Sequence, residues 1–196
     1  MKKISNKLAL LVSGIVLFTA SALHALTDGS YQIEVLCFEN LETSKDKSED
    51  WPAYVGSIDN KKAIKLNSDS PIVQNVMGSG RILSNDIKLI QQSSNHRYIF
   101  ANGWTQALKD QVRSTPIYFV GGKQLPNHKW EVEGLISVKL IKNLFHTNID
   151  LIFRKVESGN VKEFRLTQSA RLKPKESYYF DHALLGAFVV VTPPNA

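Results

Sequence analysis

The sequence predicts an α+β protein built mainly from antiparallel β-sheet, with one or two short helices. Three observations predict it. Between Lys129 and Leu172 three runs alternate apolar and polar residues at period two, joined by connections of a few residues. Leu185 to Val191 is a nearly unbroken apolar run, as expected of a last strand buried inside a sheet. Helical periodicity is brief, with Ile87, Ile90 and Gln91 on one side of a segment from Arg81 to Ser93.

Taken in order, the first element is a strand over Tyr31–Phe38. Tyr31, Ile33, Val35 and Cys37 alternate with Gln32, Glu34, Leu36 and Phe38, and both sets become apolar toward the end, which suits a central strand. Glu39 to about Ser79 reads as a polar surface insertion containing "NLETSKDKSEDWP" and "NSDSPIVQNVMGSG". The helix over Arg81–Ser93 has Ser84 or Asn85 available as N-cap. "HRYIFANGWTQAL" and "TPIYFVGG" follow as strands, the second closed by a Gly-Gly turn. The meander then places Trp130, Val132, Gly134, Ile136, Val138 and Leu140 on one face. A tight turn near Lys142-Asn143 leads to Phe145, Thr147, Ile149, Leu151 and Phe153, and a turn over Ser158–Asn160 to Phe164, Leu166, Gln168, Ala170 and Leu172. The opposite face carries charged and polar residues and is expected to be wet. Pro193 and Pro194 end the last strand.

The N-terminus predicts export. Lys2, Lys3 and Lys7 precede the apolar run Leu8–Ala20, followed by Ala20-Ser21-Ala22 and, further on, Ala25. That apolar core has the length of a signal-peptide h-region and is short for a membrane span. Residues 1–25 are therefore read as a cleavable signal peptide, cut after Ala22 or Ala25, and 26–196 as a single exported domain. Its loss removes three lysines and no acids and lowers the net charge from +6 to +3. No Lys/Arg cluster forms a nucleic-acid track. The single cysteine, Cys37, excludes an intramolecular disulfide and sits in an apolar run, where it serves as a small hydrophobe.

Motifs for chemistry are missing. There is no phosphate loop, G-x-S-x-G elbow, H-E-x-x-H or C-x-x-C, and the histidines are scattered singly. No catalytic residue, metal or cofactor is assigned. Asp181-His182 invites a catalytic reading, because a carboxylate can orient an imidazole. Neighbours on a strand, however, point to opposite faces. The pair reads better as a corner, with Asp181 accepting backbone N–H groups, His182 bridging to a neighbouring strand and Gly186 permitting close backbone approach. His146 faces the polar side of its strand. Trp104 and Gln106 at the end of "NGWTQ" read as half-buried packing or as a sugar-binding aromatic with a nearby amide. Arg171, Lys173 and Lys175, just before Glu176, read as a charge-protected strand edge or as an attractor of carboxylates such as those of peptidoglycan stem peptides.

Three blocks carry a resemblance: "YQIEVLCFEN" followed by "WP", "RYIFANGWTQAL", and "RLTQSARLKPKESYYFDHALLGAFVVVTP". Together they resemble the CsiV family of periplasmic peptidoglycan-binding proteins, and "VEGLISVKLIKNLFHTNIDLIFR" fits that family's strand pair. Ala183 stands where the family usually has proline, Asn102 where a histidine often precedes the tryptophan, and "ARL" where a more basic run is usual. The matching positions are Trp104, Gln106, Arg171, Glu176, Asp181 and His182, taken as ligand-binding candidates, and Gly186, taken as structural. The resemblance implies a non-enzymatic, Gram-negative periplasmic protein that binds peptidoglycan. It further implies support of cell elongation and shape by activating a peptidoglycan synthase, a penicillin-binding protein, through its outer-membrane lipoprotein activator. The alternatives are a wall hydrolase using Asp181-His182 and an envelope module that binds only a protein partner.

Overall fold

The computed structural model describes residues 26, 28–42, 55–66, 73–75 and 81–194; the signal-peptide expectation and most of the polar insertion lie outside them. The chain forms two five-stranded sheets and one helix among the described residues. Its strands are β1 (Gly29–Asn40), β2 (Ile64–Lys65), β3 (Val73–Asn75), β4 (His96–Leu108), β5 (Ile117–Gln124), β6 (Trp130–Ile141), β7 (Leu144–Glu157), β8 (Asn160–Leu172), β9 (Tyr178–Asp181) and β10 (Leu185–Thr192), with helix α1 over Ser84–Gln92. The first sheet runs β3-β4-β1-β10-β9 and the second β2-β5-β6-β7-β8. All pairings are antiparallel except β2 with β5. The structure is thus mainly antiparallel β, with a single short helix among the described residues.

The sheets face each other across one core. Tyr31, Ile33, Val35 and Cys37 of β1 and Ala187, Val189 and Val191 of β10 meet Val132, Ile136, Val138, Phe145, Leu151 and Phe153 of the second sheet. The Tyr31 ring meets Phe145 edge-on at 5.4 Å, and Phe100 of β4 stacks on Phe119 of β5 at 5.2 Å. Cys37 is wholly buried there, and burial pushes its thiol up to about 12, which keeps it unreactive.

The outer face of the first sheet is covered too, and this explains why β1 is apolar on both sides. Leu36, Phe38 and Val190 pack under Leu83 and Ile90, with Ile82, Ile87 and Tyr98 at the margin. The helix is shorter than its periodicity suggested. Ile90 is buried, but Gln91 is exposed and Leu89 is 65 % exposed.

The helix cap also differs. Neither Ser84 nor Asn85 caps it; Leu83 holds the N-cap position without a side-chain bond. The Glu34 carboxylate, 1 % exposed on β1, accepts the amides of Ile82 at 3.0 Å and Leu83 at 3.1 Å. A negative charge at a helix N-terminus meets both the orphan donors and the positive end of the dipole. Glu34→Ala is expected to cost about 2–3 kcal/mol, because a buried and a half-buried amide lose a charged acceptor. Chemical denaturation checks this, and hydrogen exchange should show the earliest loss of protection in Ser84–Gln92.

The meander forms as patterned. Lys142 and Asn143 both have positive φ, 47° and 64°, as do Ser158 and Gly159 at 50° and 81°, which is the backbone of two-residue hairpin turns. The Gly-Gly expectation is corrected: β5 continues through Gly121 and Gly122, and the reversal comes at Leu125–Lys129, where Leu125 N donates to Lys129 O at 2.8 Å. The register shifts between Gly121 and Gln124, and Gly122 takes φ 79° there. The glycines are an irregularity within the strand because the Phe100 ring covers Gly121 and leaves no room for a Cβ.

Candidate functional site

Two of the candidate ligand residues lie in the core. Trp104 is 0 % and Gln106 2 % exposed. Trp104 Nε1 donates to Gln106 Oε1 at 3.3 Å, and Gln106 Nε2 donates to the Thr115 carbonyl at 2.7 Å. Neither ring nor amide reaches a surface, so the sugar-platform reading of this pair is replaced by a packing role. Their positions on β4, opposite Ile33 and Tyr31, decide it.

Asp181 and His182 sit at the corner between β9 and β10, turned to different partners. The exposed Asp181 carboxylate accepts the Tyr179 hydroxyl at 2.7 Å, while its carbonyl accepts Gln168 Nε2 at 2.9 Å. Burial, then Asp181, pushes the Tyr179 phenol up to about 12, despite an opposing hydrogen bond from Asn40. The residue that caps the corner is His182, whose Nδ1 accepts the Leu184 amide at 3.2 Å. The link to the neighbouring strand runs through its main chain, because Asn40 Nδ2 of β1 donates to the His182 and Ala183 carbonyls. The Asx-cap expectation for Asp181 is therefore corrected: its side chain points outward. Nor do the two residues form a dyad. Close by, the Phe38 and Tyr179 rings lie where a Gly186 side chain would stand. Glu176 is exposed in the turn after β8, paired with Lys173 at 3.7 Å.

Arg171 leads elsewhere, to the outer face of the second sheet. The registers β6–β7 and β7–β8 set residues of three strands in rows across this face. One row is Ser137, Asn148 and Ser169; a second is Leu135, Asp150 and Thr167. Ser169 donates to Asn148 Oδ1 at 3.0 Å and Thr167 to Asp150 Oδ1 at 3.1 Å. These side chains line a shallow groove of about 230 Å³. Beyond it Arg165 grips Asp150 with two hydrogen bonds, at 2.8 and 2.7 Å. Further along, Arg154, 3 % exposed, donates to Glu163 and Glu133, each at 2.7 Å. At the other end of the groove stands a row of a different kind, Arg113, Lys139, His146 and Arg171, formed by a bridge from the segment before β5 and by the two strand registers. Arg113 also donates to Ser137 Oγ at 3.3 Å.

The arrangement suits binding rather than bond breaking: hydroxyls, an amide and a carboxylate line an open groove, with cations at one end. The alternation put Lys139, His146, Asn148, Ser169 and Arg171 on the polar faces of their strands, but gave neither Arg113 nor the grouping of these residues into rows. Hairpin arithmetic could have found part of it. A two-residue turn at Lys142-Asn143 sets His146 opposite Lys139, and the next turn sets Arg171 opposite His146. Among the described residues no cluster of metal-ligating side chains occurs, and no helix is long and apolar enough to cross a membrane.

The CsiV family, described as "Peptidoglycan-binding protein, CsiV", matches residues 7–194, nearly the whole chain, and the chain belongs to that family. Searches of curated proteins and of solved structures find no match.

Proposed function

From membership of a peptidoglycan-binding family, we propose that this chain is a non-catalytic accessory protein of the Gram-negative periplasm, exported by a cleavable signal peptide. It binds peptidoglycan and supports wall synthesis and cell shape. It does so by promoting activation of a penicillin-binding protein through that enzyme's outer-membrane lipoprotein activator. The observation that carries the binding half is the groove across β6, β7 and β8. There Asn148, Thr167 and Ser169 present amide and hydroxyl groups that a sugar or peptide strand can hydrogen-bond, beside Ser137 and the Arg165-bound Asp150. The family resemblance supports the export and activation steps. Against a hydrolase reading, Asp181 and His182 each serve a different partner.

Cosedimentation with intact sacculi tests the proposal. The purified protein should pellet with them, and the double variant Asn148→Ala/Ser169→Ala should pellet at least about fivefold less while melting within a few degrees of the parent, since the two side chains bond each other and are removed together, leaving neither partner unpaired. Protein left in the supernatant, or muropeptides released from the sacculi, would refute wall binding or non-catalysis respectively. Periplasmic crosslinking before and after wall digestion tests the activator step; a lipoprotein partner should be captured in both.

A further inference from the structure

The row Arg113–Lys139–His146–Arg171 gathers basic groups with no acid among them, whereas Lys155 and Lys162, also set opposite each other on the meander, share Glu157. Like charges set directly opposite on neighbouring strands are destabilising. Elsewhere on the meander the cations reach carboxylates: Arg154 reaches Glu133 and Glu163, Arg165 reaches Asp150, and Lys155 and Lys162 share Glu157. Lys139 and Arg171 have no carboxylate among the described residues, although each stands beside His146 in register. Arg113, bridged to Lys139, adds a third cation and is spent only on a serine hydroxyl. Arg113 and Arg171 are exposed at the two flanks; Lys139 and His146 are half-buried between them. Lys139 and Arg171 are held on paired strands, and the two arginines are open to solvent.

We infer that this row is a carboxylate-binding subsite, through which the groove recognises the free carboxylates of peptidoglycan's stem peptides in addition to its sugars. The inference rests on the wall-binding reading above and names the part of the wall that is held. Two guanidinium groups can each grip a carboxylate through paired N–H donors, and the lysine supplies a compact charge between them. The neighbouring Ser137–Asn148–Ser169 row is two residues along each strand, roughly 7 Å away, within reach of one peptide unit.

The row also makes the subsite responsive to pH. His146 faces Lys139 from β6, Arg171 from β8 and Arg113 from the segment before β5; the nearest acid on its own strand face, Asp150, is held by Arg165. Burial and then Arg171, Lys139 and Arg113 hold the imidazole below the usual histidine range. A bound carboxylate offsets those cations and raises the imidazole's proton affinity, so binding takes up protons. Affinity therefore rises as pH falls through the range of His146, while the stem carboxylates stay ionised to about pH 4.

The test is cosedimentation of the purified protein with native sacculi, with sacculi whose carboxylates have been converted to neutral amides by carbodiimide and ammonia, and with phosphatidylglycerol vesicles. Amidation should weaken binding about tenfold or more, the loss of at least one charge-assisted contact. Lys139→Gln/Arg171→Gln should weaken binding to native sacculi by a similar factor and leave binding to amidated sacculi unchanged. Its melting temperature should hold or rise, because a repulsion is removed. His146→Asn should abolish the strengthening at low pH. Equal binding to native and amidated sacculi would overturn the carboxylate subsite while leaving wall binding standing. Failure to pellet with any sacculi would remove the wall reading itself. Binding to the vesicles that is tighter than to sacculi, and lost in the double variant, would assign the row to lipid phosphates and overturn the inference.

Discussion

Trp104→Ala is expected to lower the unfolding free energy by about 3–5 kcal/mol, the range for truncating a large buried aromatic. The indole is fully enclosed between the sheets, and its loss opens a cavity and leaves Gln106 Oε1 without its donor. Urea denaturation followed by circular dichroism reads the loss directly. Trp104→Phe should recover much of it, since most of the volume returns and only the N–H is missing. Sacculus binding per folded molecule should stay at the parent level in both variants. A folded, stable Trp104→Ala protein that no longer pellets with sacculi would return the ring to the ligand site.

The second large effect is expected at Arg154. Its guanidinium lies under the strand ends with three acceptors: Glu163 at 2.7 Å, Glu133 at 2.7 Å and the Trp130 carbonyl at 3.2 Å. Removing the cation by Arg154→Ala leaves two largely enclosed carboxylates facing each other's strands, at a cost of about 3–5 kcal/mol. The parent should also lose stability in acid. Burial acts to raise the Glu163 carboxyl, but hydrogen bonds from Lys129 and Arg154 outweigh it and hold the group below its ordinary value of 4.5. A carboxyl depressed in the folded state stabilises fully above the unfolded value, and that contribution is lost as pH falls through the folded value. Glu157, held down by Lys155 and Lys162, acts in the same direction. In Arg154→Ala the burial remains and one of the two cations that hold Glu163 is gone, so acidification should destabilise the variant less than the parent. Melting temperatures from pH 7 down to about pH 3 check this. Parallel curves for parent and variant would show that Arg154 does not hold Glu163 ionised.

Much of the β architecture was legible because its cues are local. Period-two alternation from Trp130 to Leu172 reports one buried face, and Lys142-Asn143 supplies residues that accept the left-handed backbone of a two-residue turn. The strand His96–Leu108 has the limits that its composition suggested. Short elements escaped: Tyr178–Asp181 is a strand only because β10 pairs with it, and nothing in four residues announces that. Gly121-Gly122 misled because glycine serves equally for a turn or for the passage of a neighbouring ring. The charged surface was less legible than the core. Single histidines and lysines carry no period, and their grouping depends on register.

The sequence by itself determined that the chain is mainly antiparallel sheet, that β1 and β10 are interior strands, that Cys37 has no disulfide partner, and that three long blocks resemble the family to which the chain belongs. These follow from composition and from periodicities that neighbouring residues set together. Only the tertiary structure decided that Glu34, nearly fifty residues upstream, caps the helix at Ile82 and Leu83. It likewise decided that Trp104 and Gln106 face inward, that His182 rather than Asp181 caps the corner, and that Arg113, Lys139, His146 and Arg171 form one row. In each case the deciding contact joins residues distant in the chain. Its energy depends on which strands pair and in what register, a choice made by burial of the whole core and not by any single segment.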